Sequence, residues 1–300
     1  MTKFTSCLMN FKTMVEQTKP KESLFSQIKK TITFIFKIDD KEKLSPYGTG
    51  FFVSVPVEGR ENRNVGYFVT AKHVLQDEKG NWLPKIFLRM NQLDGQISYT
   101  DYPIEPKNIF THKEPEVDLA VIAMRPRLDV IEFKTIPQKI IATEEKIKKD
   151  KIEEGDDVFF TGLFTSYMGN QKNHPITRFG KVALMTDEKI DWHEKGKSSI
   201  KTNLFLIECQ TFGGNSGSPV FFQIGPKLES GEFAIGPPSF YLAGIVKGSF
   251  LNASETQNIE TVTTTISYEN VGISAVTPAY KLNEILFYDE VIDRRKKTPD

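Results

Sequence analysis

A chain of 300 residues, 39% hydrophobic and 26% charged, is long enough for one large or two small domains with sizeable cores. Its 39 basic and 39 acidic side chains balance, which argues against a general nucleic-acid binder, and no run approaches the roughly 20 apolar residues of a membrane span. Two cysteines, Cys7 and Cys209, make neither a disulfide framework nor a metal set.

Residues 1–25 read as an N-terminal arm, polar with scattered Phe4, Leu8, Met9, Phe11, Met14 and Val15; a short amphipathic helix and a loosely held arm both fit. The arm has no continuous apolar core before a small-residue cleavage site, so it does not read as a secretory signal and a cytoplasmic protein is expected. From there the pattern turns to strands. They are expected from Ile28 to Ile38 and over 48–55, 65–70, 85–90, 97–102 and 117–122, short and separated by turn residues, as in all-β proteins. These fill a first half, residues 26–135. His73 follows Tyr67-Phe68-Val69-Thr70 directly, just past a strand end, where a compact turn could hold it rigidly. Asp118 opens an otherwise apolar strand, and a buried carboxylate is costly there unless it is paired or hydrogen-bonded. Capping a turn through its own backbone is the plainer role for it.

Residues 136–154, with Pro137 and the charged run Glu144 to Lys151, read as a connector. A second half, 155–278, carries further strands at 155–162, 180–185, 204–207, 219–224, 241–246 and 262–267, with loops at 225–239 and 249–261. His193, in Asp191-Trp192-His193-Glu194, has no neighbours that complete a metal set and reads as a surface histidine. Asn252-Ala253-Ser254 matches a glycosylation sequon, which means little without secretion. After Pro278, Leu282, Ile285, Leu286 and Val291 recur at helical spacing, so residues 279–300 form a C-terminal helix that frays from Arg294.

The stretch Cys209-Gln210-Thr211-Phe212-Gly213-Gly214-Asn215-Ser216-Gly217-Ser218-Pro219 lies between two of these strands. Glycines let the backbone turn tightly and bring its N–H groups close to a bound group, so Ser216 sits on a short, rigid bend. By itself that bend is equally a tight connection or a nucleophile site. His73, Asp118 and Ser216, in that order and each at a strand edge, change the balance. Serine needs a neighbouring base, histidine can take its proton near neutral pH, and a buried aspartate can fix the imidazole tautomer. One chemistry uses all three: acyl transfer to serine, then hydrolysis.

At this point the chain resembles the trypsin/chymotrypsin-like serine peptidases, in particular their disulfide-free bacterial branch. The resemblance rests on Gly48-Thr49-Gly50-Phe51-Phe52-Val53, Thr70-Ala71-Lys72-His73-Val74, Asp118-Leu119-Ala120-Val121 and Gly214-Asn215-Ser216-Gly217-Ser218-Pro219. Tyr241 to Val246 and Gly272 to Val276 match two further strands, so it runs from about Ser26 to Ile292. It implies an all-β fold of two six-stranded antiparallel barrels packed across a cleft, with His73 and Asp118 from the first and Ser216 from the second.

The resemblance also implies an oxyanion hole made by the amides of Gly214 and Ser216. It places Gln210, Thr211, Lys247, Gly248 and Gly272 at the substrate-binding cleft. Gln210, uncharged where the family sets the base of its primary pocket, argues against Arg or Lys preference, unless Glu229 or Glu232 folds over that pocket. Asn215 replaces the aspartate that digestive members pair with a newly cleaved N-terminus, so no such cleavage is expected. Lys247 stands where a small residue is usual. The expected partner is a protein or peptide substrate, with no cofactor and no metal; a regulatory partner or the 1–25 arm could gate activity. An inactive binding scaffold on the same fold, and a non-peptidase serine hydrolase, are the competing readings.

Overall fold

The computed structural model describes residues 22–193, 198–227, 236–258 and 263–298. The scattered apolar residues of the arm, and Glu229 and Glu232, lie outside them.

Two packed halves follow one another. The first is an eight-stranded sheet made of β1 (Ile32–Ile38), β2 (Leu44–Pro56), β3 (Asn64–Thr70), β4 (Lys85–Asn91), β5 (Ile97–Pro103), β6 (Ile109–Thr111), β7 (Ala120–Ala123) and β8 (Ile136–Pro137). Its order is β5-β4-β1-β2-β3-β7-β6, with β8 added in parallel to β2. The second half is a closed six-stranded barrel, β10-β13-β16-β15-β14-β9. Its members are β9 (Asp157–Gly162), β10 (Ile176–Leu184), β13 (Phe205–Glu208), β14 (Pro219–Ile224), β15 (Ser239–Asn258) and β16 (Thr263–Pro278). The hairpin β11 (Ile190–Trp192) and β12 (Ile200–Thr202) stands apart from that barrel.

The strands form where β-branched and aromatic residues recur. Phe51, Val53 and Val55 of β2 face one core with Phe34, Phe36, Tyr67 and Val69, while Phe52 turns to the other face with Ile35 and Phe68. This is the period of two expected of a pleated strand with both faces covered. Phe159 on β9 stacks on Phe221 at 5.1 Å, and Phe25 meets its edge at 5.2 Å.

Four expectations change. The run from Ile28 does not begin a strand: Leu24–Lys29 is helix α1, capped by Ser23 through the Ser26 N–H, and β1 starts at Ile32. The connector holds helix α2 (Glu144–Lys149), capped by Thr143. The loop expected from Ser249 is strand instead, because β15 and β16 run on past the barrel as a paired ribbon to Asn258↔Thr263. The C-terminal segment is two helices, α3 (Ala279–Leu286) and α4 (Asp289–Lys297), rather than one fraying helix. Arg295 explains the second of them: it is buried, donates to the Leu286 carbonyl at 3.0 Å and reaches the Tyr67 hydroxyl. A tail that pins a guanidinium against the first sheet cannot fray.

A buried cation clasps the two halves. Arg89 of β4 donates to the carbonyls of Met168 and Gly169 and to Asn173 Oδ1, all on the loop after β9. Asn173 returns the contact through Nδ2 to the Arg89 carbonyl at 2.7 Å. A guanidinium with a rigid fork suits such a cluster of carbonyl acceptors. No helix among the described residues is long and apolar enough to cross a membrane.

Candidate active site

His73 sits in a single 3₁₀ turn, Lys72–Leu75, directly after β3. Val74 and Leu75 are buried beneath it, so the turn is nailed down from below and the imidazole is left one-third open, at 32% side-chain exposure. Asp118 precedes β7 and is buried. Its Oδ2 lies 2.6 Å from His73 Nδ1, and its Oδ1 accepts the His73 backbone N–H at 2.9 Å. The plainer expectation, a turn cap using its own backbone, is not what is seen. The carboxylate grips both the ring and the main chain of one residue 45 positions away. Although burial pushes the other way, the neighbouring imidazole and the Lys247 ammonium hold its carboxyl well below the usual range.

The segment that presents Asp118 is tied on both sides. Glu114 accepts from Lys281 of α3 at 2.8 Å and from Lys189 at 3.1 Å, which lowers its carboxyl from 4.5 to about 2. Lys189 also holds Glu116 at 2.6 Å. His112, two residues before Glu114, accepts the Glu114 N–H at Nδ1, so its Nε2 carries the proton donated to Glu284 at 2.7 Å. Glu114 and Glu116 are thus engaged in supporting the loop.

Ser216 is on the turn between β13 and β14, and the turn depends on two glycines in the left-handed region. Gly214 has φ +93° and Gly217 φ +87°. A Cβ on Gly217 would lie 2.0 Å from the Thr49 carbonyl and 2.4 Å from Thr70 Oγ1, so only glycine lets the loop press against the first half. Thr49 is the hub of that contact. Its N–H donates to the Ser216 carbonyl at 2.9 Å, its hydroxyl donates to the Gly214 carbonyl at 2.7 Å, and the same oxygen accepts the Leu163 N–H at 3.0 Å. Thr49 was legible only as part of a Gly-Thr-Gly motif. A polar side chain between glycines in an apolar strand was the available signal.

Asn215 is buried and ties the turn to its neighbours. Its Oδ1 accepts the Phe212 N–H at 2.8 Å and its Nδ2 donates to the Leu163 carbonyl at 2.6 Å. Among the described residues, no group accepts a hydrogen bond from the N–H of Gly214 or Ser216. Two donors beside a serine, on a turn stapled at both ends, are what an oxyanion would require.

The Ser216 hydroxyl donates to the Lys247 carbonyl at 3.1 Å. Lys247 departs from its expected place beside the substrate. Its side chain is 3% exposed and turns inward, with Nζ 3.2 Å from Asp118 Oδ2 and over the Trp192 ring at 5.4 Å. A flexible stem buried along an aromatic wall brings the ammonium to the Asp118 carboxylate. Trp192, on the hairpin β11–β12, also packs edge-on against Phe250 at 5.3 Å and lies over Gly248. Neither the hairpin nor its tryptophan was read from the sequence, because three-residue strands leave no periodicity to detect.

The remaining cleft residues divide. Gln210 is exposed rather than set at a closed base. Thr211 is buried, its hydroxyl 2.6 Å from Ser249 Oγ and 2.8 Å from Ser274 Oγ, and its carbonyl accepts from Asn270 Nδ2 at 2.7 Å. Gly272, at φ +83°, faces open space: a Cβ there would meet nothing within 4 Å. Cys209 is buried, and burial pushes its thiol up, away from a reactive thiolate. Among the described residues, no three His, Cys, Asp or Glu side chains gather as a metal site.

Several solved structures are similar to this chain. The Rv3671c protease from M. tuberculosis, in its active form, is 15% identical, with 87% of this chain and 82% of that chain covered and a TM-score of 0.44. A thermostable serine protease, AL20, from an extremophilic microorganism is 12% identical, with 85% and 94% covered and a TM-score of 0.44. Human heparin binding protein is 11% identical, with 90% and 94% covered and a TM-score of 0.45. No curated protein matches the sequence. The trypsin-like peptidase domain profile matches residues 48–225, more than half of the chain, and spans the histidine, the aspartate and the serine described above. The chain belongs to the trypsin-like peptidase domain family.

Proposed function

We propose that the chain is a serine endopeptidase whose nucleophile is Ser216, base His73 and orienting acid Asp118. The observation that carries the reading is the double grip of Asp118 on His73, with Ser216 tethered to Lys247, the residue that also touches Asp118. With Nδ1 donating to Asp118, His73 presents Nε2 as its free lone pair. Rotation of the serine hydroxyl from the Lys247 carbonyl toward Nε2 starts the reaction; in resting enzymes such catalytic hydrogen bonds are often not yet made. The oxygen attacks the peptide carbonyl while His73 takes its proton, and the amides of Gly214 and Ser216 receive the oxyanion. The C–N bond then breaks as His73 protonates the leaving amine. Water, deprotonated by the same imidazole, hydrolyses the acyl-enzyme and restores Ser216. A fluorophosphonate probe is expected to add one adduct, mapped to Ser216 by mass spectrometry of the digested protein. A folded protein with no adduct at Ser216 overturns the reading.

Activity is expected from the 300-residue chain without trimming, because Asn215 already staples the turn that trimming orders in digestive relatives. Asn215→Ala leaves the Phe212 N–H and Leu163 carbonyl without that staple. It is expected to slow labelling by at least tenfold, since loss of one oxyanion donor costs about 10²–10³. Equal labelling rates for Asn215→Ala and the parent would remove the staple from the mechanism.

The substrate side chain preceding the cut is expected to be small and uncharged. Thr211, Ser249, Ser274 and Asn270 spend their polar atoms on one another and on the main chain of Cys209 and Gly272, and no carboxylate joins them among the described residues. A guanidinium or ammonium there would be desolvated without a partner. Cleavage of a proteome-derived peptide library tests this, and strong enrichment of Arg or Lys before the cut would contradict it.

A further inference from the structure

Lys247 touches both ends of the proposed machinery. Its carbonyl accepts the Ser216 hydroxyl, and its ammonium shares Asp118 Oδ2 with His73 Nδ1. Two donors at 2.6 Å and 3.2 Å from one oxygen lie within about 6 Å of each other. The Asp118 and Lys247 side chains are 5% and 3% exposed, so water does little to screen this pair. We propose that Lys247 is a positioning residue that neutralises Asp118, so that His73 works beside an ion pair rather than beside a bare carboxylate and keeps its base form into more acidic solution.

The argument is a balance of two charges on one ring. A bare buried carboxylate favours imidazolium over imidazole. An ammonium on the same oxygen opposes imidazolium directly and also weakens the pull of the carboxylate. At an effective dielectric of about 20, a unit charge roughly 5–6 Å away is worth about two decades of proton affinity, and solvent at the one-third-open ring screens part of it, leaving about one. The other charged groups near this point, among the described residues, are engaged elsewhere. On the Asp118 loop, Glu114 and Glu116 are held by Lys189 and Lys281, from the segment before β11 and from α3. Lys72, on the turn that carries His73, donates to the Pro115 carbonyl at 2.5 Å. Ser216 contributes a neutral hydroxyl, and Trp192 an uncharged ring against the Lys247 ammonium.

A hydrogen bond alone would be a structural role, and substitution separates the two. Lys247→Gln offers a neutral donor, Lys247→Met offers none, and Lys247→Arg restores the charge. The direct readout is the nitrogen NMR titration of His73, with its signals assigned by their loss in His73→Gln. In both neutral variants His73 is expected to take up its proton about one pH unit higher than in the parent, roughly a tenfold change in proton affinity, and Lys247→Arg to return it. A folded neutral variant that titrates like the parent overturns the proposal. Should neither neutral variant fold, the parent alone decides: the Lys247 Nζ resonance must move with the His73 titration, and a resonance blind to it is equally fatal.

The inference rests on the peptidase reading only for its kinetic consequence. At pH 5 the parent should retain about tenfold more of its plateau kcat/KM than Lys247→Gln. The titration needs no turnover. A shifted titration with no fluorophosphonate adduct would sink the peptidase reading and leave this one standing; an adduct with an unshifted titration would do the reverse.

Discussion

Ser216→Ala is expected to remain folded and to lose both fluorophosphonate labelling and peptide hydrolysis, with kcat falling by a factor on the order of 10⁴–10⁶. The size follows from what the hydroxyl does. Without it there is no acyl-enzyme, and the residual rate over water comes only from binding and from the amides of Gly214 and Ser216, which the substitution leaves in place. The fold should tolerate the change, because the hydroxyl makes one bond, to the Lys247 carbonyl, and the loop is held by Thr49 and Asn215 instead. Thermal unfolding within a few degrees of the parent, with substrate still bound, is the accompanying expectation. Hydrolysis at the parental rate would remove Ser216 from the reaction.

What the sequence made legible, and what it hid, divides by the range of the interaction. The strands read over 28–38 and 48–55 announce themselves because the pleat is a local pattern, though they begin at Ile32 and Leu44, and the glycines at 214 and 217 announce a turn because left-handed backbone is a local demand. The order of His73, Asp118 and Ser216 was equally readable as a motif. Contacts made by one side chain across 80 or more positions were not. Nothing near Lys247 tells that its ammonium reaches Asp118, 129 residues away, and nothing near Arg89 foretells a clasp on Gly169. The ribbon of β15 and β16 was missed for another reason. Polar residues over 249–261 suit a solvated loop as well as an exposed strand, and only cross-strand pairing distinguishes them.

Asp118→Asn is expected to cost the protein twice, in rate and in stability, and Lys247 is the reason for the second cost. The rate falls by a factor on the order of 10⁴, because an amide that donates to Nδ1 selects the tautomer whose proton sits on Nε2, facing Ser216. In many settings such a change leaves the fold intact. Here the carboxylate accepts three hydrogen bonds, from the His73 N–H, the His73 ring and the Lys247 ammonium. Asparagine has a single acceptor oxygen. Keeping it on the His73 N–H turns the amide NH₂ toward the ammonium, and flipping it points the NH₂ at the backbone donor. Either way the buried Lys247 ammonium loses the Asp118 carboxylate oxygen, and breaking a buried ion pair from one side costs about 3–5 kcal/mol. The same linkage sets a pH dependence in the parent. Because the folded carboxyl lies below its unfolded value, its contribution is complete above the ordinary range near 3.8 and is lost as pH falls through the folded value. Pairing Asp118→Asn with Lys247→Met removes both members of the ion pair. The double variant is expected to recover at least half of the lost stability in urea unfolding while its labelling rate stays as low as that of Asp118→Asn. Additive losses of stability in the pair would show that the ammonium and the carboxylate do not depend on each other.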